Sequence, residues 1–109
     1  MTLSREGPIT AYNAVRFKVK PGQEQKFIDM HKDLPIPPGM MDGALIKTGD
    51  RAFCLIGKWQ NFDQIVAAHP QMIGILDKFR GMLEDLGGGL GLTDPVSGSV
   101  VVEYPAKKQ

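Results

Sequence analysis

Apolar positions in AYNAVRFKV (residues 11–19) recur with a period of two. Asn13, Val15, Phe17 and Val19 share one face, while Tyr12, Ala14, Arg16 and Lys18 share the other. This predicts a strand with one apolar and one mixed face. After Pro21 the spacing changes to threes and fours. Phe27, Met30, His31 and Leu34 predict a helix over 21–33, opened by Pro21 and stopped by Pro35, Pro37 and Pro38. MMDGALIKT (40–48) and RAFCLIGKW (51–59) flank Gly49-Asp50 and predict a hairpin whose turn has glycine first. In the second run Phe53, Leu55, Gly57 and Trp59 alternate with Ala52, Cys54, Ile56 and Lys58, so both faces are largely apolar and covered. Through 61–86 the helical stripe is Phe62, Ile65, Val66, His69, Met72, Ile73, Leu76, Phe79, Leu83 and Leu86, with Asn61 as N-cap. Pro70 predicts a break, with one helix ending near 68 and another starting at the proline. Gly87 reads as the helix C-terminal glycine and Thr93-Asp94-Pro95 as a turn. The loop over 87–98 is long for a connector, which suggests a flap at a dimer edge or a pocket mouth. SVVVEY (99–104) reads as the last strand.

Strand, helix, strand, strand, helix, strand is the ferredoxin-like α+β order: a four-stranded antiparallel sheet with two helices on one face. The uncovered face, carrying Tyr12, Ala14, Cys54 and Ile56, is too apolar to stay wet. Homodimerisation through that sheet face is therefore expected. The organisation is a flexible arm (1–10), one domain (11–104) and a tail (105–109).

Composition removes several classes of function. Thirteen basic and 12 acidic residues leave a formal charge of +1, without the basic footprint of a nucleic-acid binder; Lys107 and Lys108 are a short solvated tail. No apolar run approaches the ~20 residues of a membrane span, so no membrane partner is expected. The N-terminal MTLSREGPIT has charge and proline where a leader peptide needs an apolar run. Cys54 is alone, which suits a reducing, cytoplasmic setting. Two histidines and one cysteine without a close cluster argue against a metal. The glycine run follows a helix and lacks the G-x-G-x-x-G spacing, so no dinucleotide cofactor is expected. A Ser-His-Asp triad is not legible either.

What remains is a small set of side chains. His69, on an apolar stripe beside Pro70, would act as a general base toward a phenol or an acidic C–H. The competing reading is a helix-boundary histidine that caps backbone groups or touches solvent. Asn13, polar on an apolar face, either bonds nearby backbone or holds a substrate oxygen or oxyanion. Trp59, Phe17, Phe53 and Met72 supply walls for a small apolar or aromatic ligand, and Arg16 a cation for a carboxylate. Tyr12, Arg16 and Tyr104 are placed at the dimer face or pocket rim, His31 as a structural histidine and Cys54 as a packing residue.

YNAVRFKVKPGQEQKF, a hairpin ending in LIGKW, and NFDQIVAAHPQM together resemble the dimeric α+β-barrel proteins of the antibiotic-biosynthesis-monooxygenase type, over about residues 11–104. The shared features are a first strand running into K-x-G and an amphipathic helix, and a tryptophan ending the third strand. The resemblance implies a cofactor-independent monooxygenase acting on an aromatic or polyketide-like molecule. It leaves open a non-redox cyclase or isomerase, or a non-catalytic, stress-related binding protein. The heme-degrading branch resembles this chain at Asn13 but places a tryptophan and a histidine about three turns apart on the second helix. Here Trp59 ends a strand and no histidine follows His69, so that branch is disfavoured.

Overall fold

The computed structural model describes residues 9–104. Its elements are β1 (Ala11–Val19), α1 (Glu24–Lys32), β2 (Met40–Gly49), β3 (Ala52–Trp59), α2 (Phe62–Phe79), a 3-10 turn (Arg80–Met82), β4 (Leu83–Glu84) and β5 (Asp94–Ser99). The sheet is antiparallel, with β3 along one edge of β1 and β2 outside β3. β4 pairs with Lys18 and Val19, and β5 with Ala11 through Arg16. Since β3 takes one edge of β1, β4 and β5 share the other and form one edge strand interrupted by residues 85–93. The arrangement is ferredoxin-like, with five strand segments in place of the four that the pattern predicts.

Alternation in β1 sets the two faces. Ala11, Asn13, Phe17 and Val19 are buried, whereas Tyr12 and Arg16 are exposed. Phe17 and Phe53 from the sheet meet Phe27 of α1 and Phe79 of α2. Ring centroids lie 5.2 Å apart for Phe27–Phe53 and 5.3 Å for Phe27–Phe79, the latter edge-on. Such pairs contribute beyond simple area burial. A second cluster, Ala11, Trp59, Ile65 and Ala68, joins the start of α2 to the far end of the sheet.

Several elements depart from the sequence pattern. α1 begins at Glu24 because Lys20-Pro21-Gly22-Gln23 forms a turn, with Gln23 N bonded to Lys20 O at 3.1 Å and Gly22 at φ +80°. Proline followed by a left-handed glycine is the type II signature. At the hairpin tip the turn residues are Asp50 and Arg51, with Arg51 left-handed at φ 56°. Its strain is offset by tertiary bonds. The Arg51 carbonyl accepts from Val19 N at 2.8 Å, and its guanidinium donates to Val19 O at 2.8 Å and to Glu84 Oε1 at 2.6 Å.

α2 runs unbroken through Pro70. Val66 and Pro70 are both on the solvent side, so water can reach the Val66 carbonyl that the proline leaves without its helical donor. Pro70→Ala should therefore raise stability, by up to about 3 kcal/mol. Thermal melting checks this, and an unchanged or lower Tm would contradict it.

α2 ends at Phe79, short of the predicted 86. Met82 and Leu83 are drawn into the core, Leu83 pairs with Val19, and Glu84 reaches Arg51. Gly87 is therefore not a helix cap. At φ +87° it belongs to a tight loop closed by Leu86 N–Gly91 O at 2.8 Å and Leu90 N–Gly87 O at 3.1 Å. The last strand spans Asp94–Ser99 instead of 99–104. Its partner β1 starts at Ala11, and beyond the Val100 N–Thr10 O bond (2.8 Å) no strand remains to pair with among the described residues. Pro95 is accommodated because an edge strand can spare a donor. Of the arm over 1–10 only Ile9 and Thr10 are described, and the tail over 105–109 lies outside the described residues. Among the described residues, no helix is long and apolar enough to cross a membrane.

Candidate functional site

Between the helix-facing side of the sheet, α2 and the segment after α1 lies a cavity of about 570 Å³. α2 lines it with Ile65, His69, Met72, Ile73, Leu76 and Phe79, and β1 with Asn13, Val15 and Phe17. β2 and β3 add Met40, Gly43, Leu45, Leu55 and Trp59, and the edge strand adds Thr93, Pro95 and Ser97. The LPIP segment, Leu34 to Pro37, which ends α1, forms one further wall. Most of these side chains are apolar, which suits a small organic ligand held by few polar groups.

Asn13 is the buried polar residue of this cavity, only 7% exposed. Its Oδ1 accepts from Trp59 Nε1 at 2.9 Å, and Trp59 is itself 1% exposed. Because an indole N–H only donates, this bond fixes which end of the carboxamide is oxygen. The Nδ2 group donates to Met72 Sδ at 3.9 Å, and a thioether is a weak acceptor. Asn13 thus keeps hydrogen-bonding capacity on its NH2 inside an apolar space, suited to a carbonyl oxygen or an oxyanion. The backbone at Gly57 makes the pair possible. Gly57 lies directly across from Asn13, and a Cβ there would come within 2.6 Å of Asn13 Oδ1 and 2.9 Å of Trp59 Nε1.

The two histidines differ. His69 lines the cavity from α2 while staying exposed, and so reaches both ligand and solvent. His31 is packed between Phe27 and Phe79, with centroids at 4.4 and 4.8 Å. Its Nδ1 is 2.9 Å from Phe27 O, so Nδ1 carries the proton and the buried, unpartnered Nε2 is bare. Burial pushes the His31 pKa below its ordinary 6.5, partly opposed by the bond to Phe27 O. Below about pH 6.5 the unfolded chain therefore binds more protons than the folded one, and stability falls as pH falls. Melting temperature should drop between pH 7 and 5, and His31→Gln should flatten that slope. An equal slope in the variant would assign the acid sensitivity elsewhere.

The cavity brings together five of the sequence-predicted residues: Asn13, Phe17, Trp59, His69 and Met72. Phe53 lies outside the lining, at 1% exposure beneath Phe27 in the aromatic core. Arg16 has the opposite parity from Asn13. It sits on the uncovered sheet face, paired with Asp94 through Nε–Oδ2 at 2.9 Å, and so is not placed to bind a carboxylate in the cavity. Tyr12 shares that face, and Tyr104 is 91% exposed beyond β5. Of the stretch 87–98, Thr93, Pro95, Val96 and Ser97 line the cavity, the last three from β5, whereas Gly87 through Gly91 do not. The sequence pattern leaves out Gly43, Gly57, the LPIP wall and the edge-strand residues. An inward parity for Gly57 was the available signal, but its opposition to Asn13 depends on register.

Asn13, Trp59 and His69, the residue types of the heme-degrading branch, do converge here. A porphyrin nevertheless fits poorly. Among the described residues no lysine or arginine lines the cavity to meet its propionates, and Asn13 Oδ1 is committed to Trp59. Among the described residues no group of three or more His, Cys, Asp or Glu is placed to hold a metal ion.

No family model matches the chain, and no curated protein matches it. Solved structures match its fold. A candidate antibiotic biosynthesis monooxygenase from Nitrosomonas europaea aligns with TM-score 0.66 at 18% identity, over 96% of this chain and 100% of that one. SnoaB, a cofactor-independent oxygenase from Streptomyces nogalater, aligns with TM-score 0.62 at 14% identity, covering 89% and 98%. A dimeric ferredoxin-like protein from an uncultured marine organism aligns with TM-score 0.66 at 10% identity, covering 91% and 94%. Other structures of this fold belong to proteins of unknown function.

Proposed function

We propose that this chain is a cofactor-independent oxygenase acting, as a homodimer, on an electron-rich aromatic or polyketide-like molecule. The observation that carries the reading is the Asn13 carboxamide, oriented by Trp59 and carrying a spare N–H in a largely apolar cavity. A substrate whose anion is stable enough to form near neutral pH needs three things from the protein: an apolar pocket, a base and an oxyanion donor. His69 takes the proton, Asn13 Nδ2 holds the oxygen on which negative charge collects, and the anion itself transfers electrons to dioxygen. For a methylene between two aromatic rings the balance is one methylene and one dioxygen in, one ketone and one water out. The methylene carbon loses both hydrogens and takes one oxygen atom as its carbonyl, and the second oxygen atom leaves as water. The same fold in SnoaB, a cofactor-independent oxygenase, supports this reaction class. A reducing, cytoplasmic setting suits the lone Cys54.

Dithranol, a tricyclic phenol with an acidic methylene, is a suitable probe. Oxygen uptake above the uncatalysed rate, absent under nitrogen, is the expected result. Consumption of the probe at the same catalysed rate without oxygen would replace the oxygenase with a cyclase or isomerase. Binding without any turnover would replace it with a binding protein.

A further inference from the structure

The Asn13 carboxamide has a direction. Its Oδ1 leans over β3, where a Cβ at Gly57 would meet it at 2.6 Å and where Trp59 Nε1 bonds it at 2.9 Å. The oxygen and nitrogen of a planar carboxamide diverge from one carbon, so Nδ2 turns away from β3. Its contact with Met72 Sδ places it beneath α2. β1 lies between β3 and β5, so the side away from β3 is the side of β5.

Ser97 stands on that side. It is the register partner of Asn13 in β5, so both side chains leave the sheet on the same face, and both residues line the cavity. Directly opposed residues of an antiparallel pair hold their Cβ atoms about 5 Å apart, close enough to share one ligand atom. Ser97 is exposed on an edge strand, so its hydroxyl is free to turn toward a ligand. A serine hydroxyl donates as well as accepts, and its hydrogen rotates to suit the partner. The cavity's other hydroxyl, Thr93, stands beside the Arg16–Asp94 row, about 13 Å from Ser97 along an extended chain, and so belongs to the Phe17 end.

Resting on the oxygenase reading above, we infer that Ser97 Oγ is a second donor to the substrate oxygen, so that Asn13 Nδ2 and the Ser97 hydroxyl hold the oxyanion between β1 and β5. Hydrogen bonds to an ionised oxygen are about twice as strong as those to a neutral one. Two donors therefore favour a phenolate or enolate over an ether of the same ring. This narrows the substrate class to molecules whose reacting ring carries an ionisable hydroxyl. Ser97 is also the position that tests the clamp cleanly, because its side chain is exposed and small, and its loss leaves the Asn13–Trp59 bond in place.

The experiment is calorimetric titration of the intact chain with pentafluorophenol, an anion at neutral pH, and with its neutral methyl ether. Ser97→Ala should weaken the anion by roughly 10- to 100-fold, the range for one hydrogen bond to a charged group, and leave the ether unchanged. Ser97→Thr keeps a hydroxyl on the same carbon and should restore the anion. Circular dichroism confirms that both variants fold. Equal affinity of wild type and Ser97→Ala for the anion overturns the clamp and leaves the oxygenase reading intact. An equal loss for both probes also overturns it, since that is the signature of packing. A selective loss of the anion in Ser97→Ala, together with no oxygen uptake by wild type on dithranol, upholds the clamp and removes the oxygenase. Failure of wild type to bind either probe overturns both.

Discussion

Asn13→Asp lowers oxygen uptake with dithranol by about 100- to 1,000-fold, the usual cost of losing one oxyanion donor. The substitution isolates the donor from the packing. An aspartate oxygen can still accept from Trp59 Nε1, the bond that Asn13 Oδ1 makes at 2.9 Å, so the indole keeps its partner. What disappears is the NH2, replaced by a carboxylate oxygen that repels the substrate anion. Asn13→Ala is less informative because it strands the nearly fully buried indole N–H, at a cost of roughly 1–3 kcal/mol of stability. Trp59→Phe provides the complementary control: it leaves the carboxamide in place but free to turn over, and costs less rate than Asn13→Asp. Equal oxygen uptake by wild type and Asn13→Asp would remove Asn13 from the chemistry.

Ile56→Glu converts the protein to a monomer in sedimentation at micromolar concentration, whereas wild type sediments at twice the 11.9 kDa chain mass. Both helices pack on one side of the sheet, and the other side carries Tyr12, Ala14, Ile46, Cys54 and Ile56 in register across β1, β3 and β2. Tyr12 is 44% exposed and Ile46 43%, while Arg16–Asp94 and Lys58 fringe the patch. An apolar centre with a charged rim is the anatomy of a protein interface. In a two-fold dimer through this face each protomer brings its own copy of the change, so one substitution buries two unpaired carboxylates. A wild-type monomer at these concentrations would contradict the dimer. A dimeric Ile56→Glu variant would show that self-association uses another face.

Local pattern and non-local pairing explain what can be read from the sequence. Parity in β1 separates Asn13 and Phe17 from Tyr12 and Arg16, because a strand buried on one side imposes period two on its residues. The N-cap at Asn61 is equally legible, and its Oδ1 accepts from Gln64 N at 3.0 Å. Leu83 is not. Its spacing from Phe79 suits a helix, yet pairing with Val19 and the Glu84–Arg51 bond place it on a strand. Arg51 misleads for the same reason, since the contacts offsetting its left-handed backbone come from β1 and β4. In the site, Asn13 and His69 stand out as polar residues on apolar faces. Gly57 carries no side chain and gains meaning only when register sets it across from Asn13. His31 reads as a core histidine from spacing alone; its position against the cavity and its bare Nε2 need the folded chain.

The most direct test is turnover of dithranol under isotopically labelled dioxygen, with wild type and Asn13→Asp in parallel. One labelled oxygen atom in the product carbonyl, formed quickly by wild type and at near-background rate by the variant, is the predicted result. Product formed by wild type without the label, or labelled equally fast by both proteins, would contradict it.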